Sequence, residues 1–139
     1  DAVMAIFGLG DHEQSPDKRA VLASIEMLQT LKQHNVNRRA IDPNSKDLKA
    51  GIGLHSGEVV AGYIGSQDRL EFTVIGQNVN LAARIEGKTK PPNPPILLSA
   101  SVASNVSEDI PLQEVMTTTL KGISEDVILF APTSIISSV

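Results

Sequence analysis

Asn80 and Arg84 are the two polar residues whose spacing points to chemistry. They lie four residues apart in the segment from Val79 to Ile85, whose other side chains are apolar, so a helix would place both on one face. An amide beside a guanidinium in apolar surroundings must meet partners, because leaving either buried group unpaired costs about 1–3 kcal/mol. Two interpretations are open: Asn80 caps the helix and Arg84 pairs with a carboxylate, or the two residues form a polar site.

The segment that carries this pair is predicted to be a strand followed by a helix. β-Branched and aromatic residues fill Phe72 to Ile75, which is typical of a strand. Gly76 ends the strand, and Asn78 is the predicted N-cap of the helix. Because apolar residues cover most of the circumference of this helix, we expect it to be buried in protein.

Composition narrows the possible functions. The chain has 139 residues, 41% of them apolar and 20% charged, which is ordinary for one soluble globular domain. Its net charge of −4 disfavours nucleic-acid binding, which requires a basic face, but is compatible with a nucleotide held through metal ions. The absence of cysteine excludes disulfides, thiolate chemistry and cysteine-based zinc sites.

The rest of the chain is predicted to combine strands and helices. The apolar run Ala2–Phe7 predicts a buried central strand, and Ser15-Pro16 begins a helix that ends near His34. The polar segment 35–46 is predicted to be a loop prone to disorder. Further predictions are a glycine-rich hairpin of 48–55 with 58–64, a buried strand at 96–98, a helix from Ser99 to about 105, an edge strand at 112–120, a turn at 121–122, a final strand at 127–130 and a loosely held tail at 133–139. Strands outnumber helices, so the expected fold class is α+β, with helices packed on a largely antiparallel sheet.

Three segments together resemble the catalytic domain of class III adenylyl and guanylyl cyclases. They are DAVMAIFG at the start, GIGLHSGEVVAGYIGS from Gly51 and EFTVIGQNVNLAARIE from Glu71, and their order and spacing match as far as about Ile128. The resemblance implies a ferredoxin-like cyclase core over residues 1–132, truncated at its N-terminal side. We therefore expect the chain to be part of a longer parent and to be inactive alone.

The resemblance also implies roles for five residues of this chain. Asn80 and Arg84 match the pair that orients the ribose and meets the charge developing on the phosphate, a task suited to the fixed fork of arginine. Lys121, in Thr-Leu-Lys-Gly-Ile, matches the lysine that reaches the triphosphate, although an ordinary exposed turn lysine is the alternative. Asp1 matches one of two aspartates that hold Mg²⁺ or Mn²⁺ in a two-metal site, and the other carboxylate is not in this chain.

Thr73 matches the residue that reads the base. A threonine hydroxyl accepts a hydrogen bond from the adenine amino group, and the context GSQDRLEFT resembles the bicarbonate-responsive bacterial adenylyl cyclases. The expected function is that of an adenylate cyclase, which converts ATP to 3′,5′-cyclic AMP and pyrophosphate. The alternatives are a guanylate cyclase and a non-catalytic cyclase-like module that dimerises or senses nucleotide.

The family arrangement implies a homodimer, head to tail, with its sites at the subunit interface. The metal aspartates then come from one protomer, and the asparagine, arginine and base-reading residue from the other. An upstream regulatory domain in the parent and a cytoplasmic location of the catalytic domain are further expectations. His55 is interpreted as a structural histidine, because it lies alone near a turn.

Overall fold

The computed structural model describes residues 1–136, which form an α+β structure as the sequence predicted. Its elements in chain order are α1 (Pro16–Ile41), β1 (Ile52–Leu54), β2 (Val60–Ser66), β3 (Arg69–Ile75), α2 (Gln77–Glu86), β4 (Ile96–Ser99), α3 (Ala100–Val106), β5 (Leu112–Thr118), β6 (Val127–Pro132) and α4 (Thr133–Ile136). None of the helices in this part of the chain has the length and apolar character needed to cross a membrane.

A four-stranded sheet in the order β1-β4-β6-β5 forms the centre of the fold. β1 and β4 run parallel, and the other neighbours run antiparallel, with a register shift between Glu114 and Met116 in β5. All four side chains of β4 are buried, because helices cover the sheet there. The core is aliphatic and includes Ile85 of α2, Val102 and Val106 of α3, and Leu129 of β6.

The sequence predicted the second half of the chain well. β4, β5 and β6 lie where the apolar runs placed them, and β5 is the edge strand. The hydroxyl oxygen of Ser99 accepts a hydrogen bond from the backbone N–H of Val102 and so caps α3 as predicted. The predicted tail was wrong over 133–136, which form α4 with Ile135 buried, and residues 137–139 lie outside the described residues.

Helix α1 is longer than predicted. Its start, with Ser15 at the N-cap and Pro16 in the first turn, is confirmed, but it continues to Ile41 through residues assigned to a disordered loop. The side chain of Asn35 explains the extension. Its Nδ2 donates to Leu48 O and its Oδ1 accepts from Leu48 N, both at 2.9 Å, so the amide fixes the returning chain against the helix.

The predicted hairpin of 48–55 with 58–64 was wrong. β1 is only three residues long and pairs with β4, whereas β2 pairs with β3 in a separate two-stranded sheet. Gly53 in β1 explains the position of the strand, since a Cβ on Gly53 would lie 2.6 Å from Ala82 O and 2.8 Å from Glu86 Cα. The glycine in this strand was expected to mark the close approach of another backbone, and the backbone of α2 does lie against Gly53.

Two apolar segments are less buried than predicted. Ala2–Phe7 is not a strand: no described strand pairs with it, and Val3 is 97% exposed. In α2 only Ile85 is buried, because β1 and β4 cover one side of the helix. Asn78 is not the N-cap, a position that Gly76 occupies with φ of 146° and no side-chain hydrogen bond.

We expect Gly53→Ala to lower the free energy of unfolding by about 1–3 kcal/mol, because the added methyl group collides with main-chain atoms that cannot move away singly. Gly62→Ala is the matched control in a strand, since its Cβ would meet nothing within 4 Å. Urea denaturation of both variants measures the difference. Equal stabilities would show that α2 does not lie against Gly53 in solution.

Candidate active site on helix α2

Asn80 and Arg84 occupy one side of α2, beyond the part that β1 covers. Asn80 is exposed in the fourth position of the helix, so it is not the cap; its backbone N–H donates to Gly76 O at 3.4 Å. Among the described residues, none forms a hydrogen bond with its side chain. Arg84, one turn further on, is half-buried. The pair is thus presented at a surface and not enclosed within this chain.

Arg84 contacts the turn that follows β5. Its Nη1 donates to the backbone carbonyl of Lys121, which brings two of the predicted site residues together. Gly122 allows this contact in two ways: its φ of +86° forms the turn, and a Cβ there would lie 2.9 Å from Arg84 Nη1. The turn at Lys121 and Gly122 therefore holds the guanidinium of Arg84 in place.

The partner of Arg84 is a neutral carbonyl, so its charge is not compensated. Within residues 1–136 the ion pairs are Lys18 with Asp109 and Arg39 with Asp47. Neither involves the groove of about 310 Å³ lined by Arg84, Gly87, Lys88, Thr119, Leu120 and Lys121. This groove has three cationic side chains and no carboxylate in its lining, although the whole chain has a net charge of −4. Such a surface attracts anions.

Sequence reasoning missed Lys88 as a groove residue. It lies four residues after Arg84, just beyond the end of α2. Side chains four residues apart share one side of a helix, so this spacing was the available signal. Its backbone N–H still donates to Ile85 O at 3.0 Å, which keeps Lys88 in the turn that ends the helix.

Thr73 and Asp1 are not brought to this groove. Thr73 is half-buried in β3 opposite Gly62 of β2, and Asp1 is exposed at the start of the chain. The residues that the structure describes contain no cluster of three or more His, Cys, Asp or Glu side chains that could hold a metal ion. Asp1 would supply one carboxylate of the predicted two-metal site, whose other carboxylate is not in this chain, so the chemistry below takes no step through a metal.

Comparison with known proteins gives one consistent result. Residues 1–131 match the family model described as the adenylate and guanylate cyclase catalytic domain. An adenylate cyclase of Anabaena cylindrica is 40% identical over 110 residues, which are 77% of this chain and 21% of the relative. Adenylate cyclase 1 of Rhizobium meliloti is 24% identical over 139 residues, which span 100% of this chain and 21% of that protein.

Solved structures show the same fold. The guanylyl cyclase Cya2 superimposes with a TM-score of 0.78 at 31% identity, covering 89% of this chain and 61% of that one. The adenylyl cyclase CyaB from P. aeruginosa superimposes with a TM-score of 0.70 at 24% identity, covering 89% and 63%. The chain thus spans about a fifth of these curated relatives and under two thirds of these solved chains.

We expect Gly122→Ala to displace the Arg84 guanidinium from Lys121 O, because the new methyl group would occupy its place. Gly10→Ala is the matched control: Gly10 also has positive φ, +81°, but a Cβ there would meet nothing within 4 Å. Both variants should lose roughly 1–2 kcal/mol from backbone strain. Only Gly122→Ala should shift the guanidinium signals of Arg84 in ¹⁵N NMR, and an unshifted spectrum would refute the contact.

Proposed function

The chain belongs to the family of adenylate and guanylate cyclase catalytic domains, and from this premise we propose that its parent protein is an adenylate cyclase. In the proposed reaction the ribose 3′-oxygen of ATP attacks the α-phosphorus. A new O3′–P bond forms, the bond from that phosphorus to the bridging oxygen of the β-phosphate breaks, and pyrophosphate leaves. The hydroxyl proton passes to solvent water, and 3′,5′-cyclic AMP is the other product.

The uncompensated charge of Arg84 is the observation that supports this proposal most. A guanidinium held by a neutral carbonyl keeps its remaining donors and its full charge for an incoming anion. Charge develops on the phosphate oxygens in the transition state, and a fixed donor aimed there lowers the barrier. The structure carries no ion pair of Arg84 with a carboxylate among the described residues, which was the competing interpretation.

The neighbours of Arg84 fit complementary tasks. The free amide of Asn80 is suited to hydrogen-bond the ribose, and both ends of that amide are available to a ligand. Lys121 and Lys88 are suited to the charged triphosphate end, since both line the same groove as Arg84. The presence of Asn80, Arg84 and Lys121 together in this chain argues against a non-catalytic module.

Thr73 is the proposed base-reading residue, and it favours ATP over GTP. Its hydroxyl can accept from the adenine amino group, but it can also donate to the carbonyl oxygen of guanine. We therefore expect preference and not exclusion. A guanylate cyclase is the second candidate, because the guanylyl cyclase Cya2 has the higher TM-score and identity of the two structures compared.

A second copy of the chain is the proposed partner. The β2–β3 hairpin carries large exposed apolar side chains on both faces, among them Tyr63, Leu70 and Phe72 on one face and Val60, Ile64 and Ile75 on the other. Tyr63 and Phe72 stack edge to face, with ring centroids 5.4 Å apart. A lone two-stranded hairpin is at best marginally stable in water. Burial against the other protomer of a head-to-tail dimer would supply the missing contacts.

The proposed dimer also accounts for the separation of the site residues. Asp1 would contribute a carboxylate for Mg²⁺ or Mn²⁺ from one protomer, while Asn80, Arg84 and Thr73 would come from its partner. A single copy then holds half of each site, which is consistent with the exposed positions of Asp1 and Asn80.

The nucleotide preference is tested by kcat/KM of the purified parent for ATP and for GTP. We expect kcat/KM to be higher for ATP, by a ratio equivalent to no more than a few kcal/mol of activation free energy, because one adaptable hydrogen bond discriminates weakly between the two bases. Thr73→Cys should reduce that preference, and Thr73→Ser, which keeps the hydroxyl, is the control. A parent that prefers GTP would replace the adenylate assignment by the guanylate one.

Complementation tests the divided site. Arg84→Ala in the parent should lower kcat by about 10²–10³-fold with a smaller change in KM, because the contact strengthens in the transition state. Asp1→Asn should also be inactive. In an equimolar mixture half of the dimers carry one intact site, so about a quarter of the wild-type activity should return.

Mixing each variant with itself is the control and should restore nothing. A mixture of Arg84→Ala and Asp1→Asn that stays inactive, while co-purification through a tag on one variant shows mixed dimers, would mean that both residues serve one site within the same protomer. An Arg84→Ala variant with near wild-type kcat would reduce Arg84 to a structural residue.

A further inference from the structure

His55 directly follows β1 and lies between α2 and the start of α3. Its Nε2 is 2.8 Å from Asn78 Oδ1 in the first turn of α2, and its Nδ1 is 2.9 Å from Ser99 Oγ at the start of α3. The imidazole therefore spans the gap between two helix N-termini, and it is half-buried.

The hydrogen bonds of Asn78 assign the proton on His55 Nε2. Asn78 Nδ2 donates to Glu58 O at 2.8 Å, so its Oδ1 faces the imidazole and must accept from His55 Nε2–H. His55 Nδ1 lies 2.9 Å from Ser99 Oγ, which also lies 2.9 Å from Ser101 Oγ, and the Ser101 hydroxyl donates to Ser56 O at 3.0 Å. The contact with Asn78 therefore requires a proton on His55 Nε2, and Ser99 contacts the other ring nitrogen.

The first turn of α2 depends on this network, because it has few other attachments. Its N-cap is Gly76, which provides no side-chain hydrogen bond, and its buried residue, Ile85, lies at the far end of the helix. Gly57 packs against the same turn, since a Cβ on Gly57 would lie 2.8 Å from Asn78 Oδ1. The Asn78 side chain is thus fixed by His55 on one side and by the backbone of residues 57–58 on the other.

We propose that His55 is a positioning residue for the cyclase reaction, acting through Asn78 to set the place of Asn80 two residues later. The proposal deepens the proposed function and rests on it. His55 itself does not touch the nucleotide; it fixes the turn from which the Asn80 amide projects. A displacement of about 1 Å in such a group can cost about 10²-fold in rate.

Two substitutions in the parent protein separate positioning from simple stabilisation. The terminal amide of glutamine reaches about as far as histidine Nε2, whereas that of asparagine reaches only as far as Nδ1. His55→Gln can therefore keep the bond to Asn78, and His55→Asn can keep the bond to Ser99. Both variants lose one half of the network, so both should lower the melting temperature.

We expect His55→Asn to lower kcat by about 10- to 100-fold with KM little changed, and His55→Gln to stay within about threefold of wild type. Val106→Ala, in the core of α3 and away from the site, is the control that lowers the melting temperature without changing kcat. Equal kcat in His55→Asn and His55→Gln, at matched folded fractions, would overturn the proposal.

Amide hydrogen exchange of the nucleotide-free parent gives a readout that does not need activity. The first turn of α2 should exchange faster in His55→Asn than in His55→Gln, and equal exchange would refute the link through Asn78. A wild-type parent that cyclises neither ATP nor GTP would refute the proposed function instead. The exchange comparison would then still decide whether His55 fixes α2.

Discussion

The direct contact between β1 and α2 is the constraint on which the rest of the structure depends. Gly53 has no side chain, so the backbone of β1 lies against the backbone of α2 near Ala82 and Glu86. Backbone-to-backbone contact leaves little freedom for sliding or rotation, since no flexible side chain lies between the two elements. The position of β1, a strand of three residues, therefore sets the direction in which Arg84 projects toward the turn after β5.

Local signals in the sequence predicted the elements whose boundaries are made locally. Ser15 and Ser99 began helices because a hydroxyl at the N-cap satisfies backbone N–H groups within the same turn. The pairing of β1 with β4, and of β2 with β3, could not be predicted in this way, because it depends on which distant chain lies alongside. Asn35 shows the same limit: a polar residue typical of a loop became part of a helix once Leu48 satisfied its amide.

The sequence likewise predicted some features of the candidate site and missed others. The spacing of Asn80 and Arg84 predicted a shared helix face, and the resemblance assigned a role to Lys121, whose backbone carbonyl accepts from Arg84. The predicted burial of α2 was wrong because burial is decided by neighbours, and the described residues cover only one side of the helix. Lys88 and Asn78 were missed as site residues, because their roles come from contacts with distant turns and not from residue type.

Gly76 alone separates β3 from α2, so the hairpin and the helix are joined by a single residue. Thr73 lies three residues before Gly76, and Asn80 lies four residues after it. If a second copy orders the hairpin, and a nucleotide is held by residues on both sides of Gly76, then each event favours the other. Thermodynamic reciprocity requires that the factor by which association strengthens nucleotide affinity equals the factor by which nucleotide strengthens association. The apparent affinity for nucleotide would then rise with protein concentration.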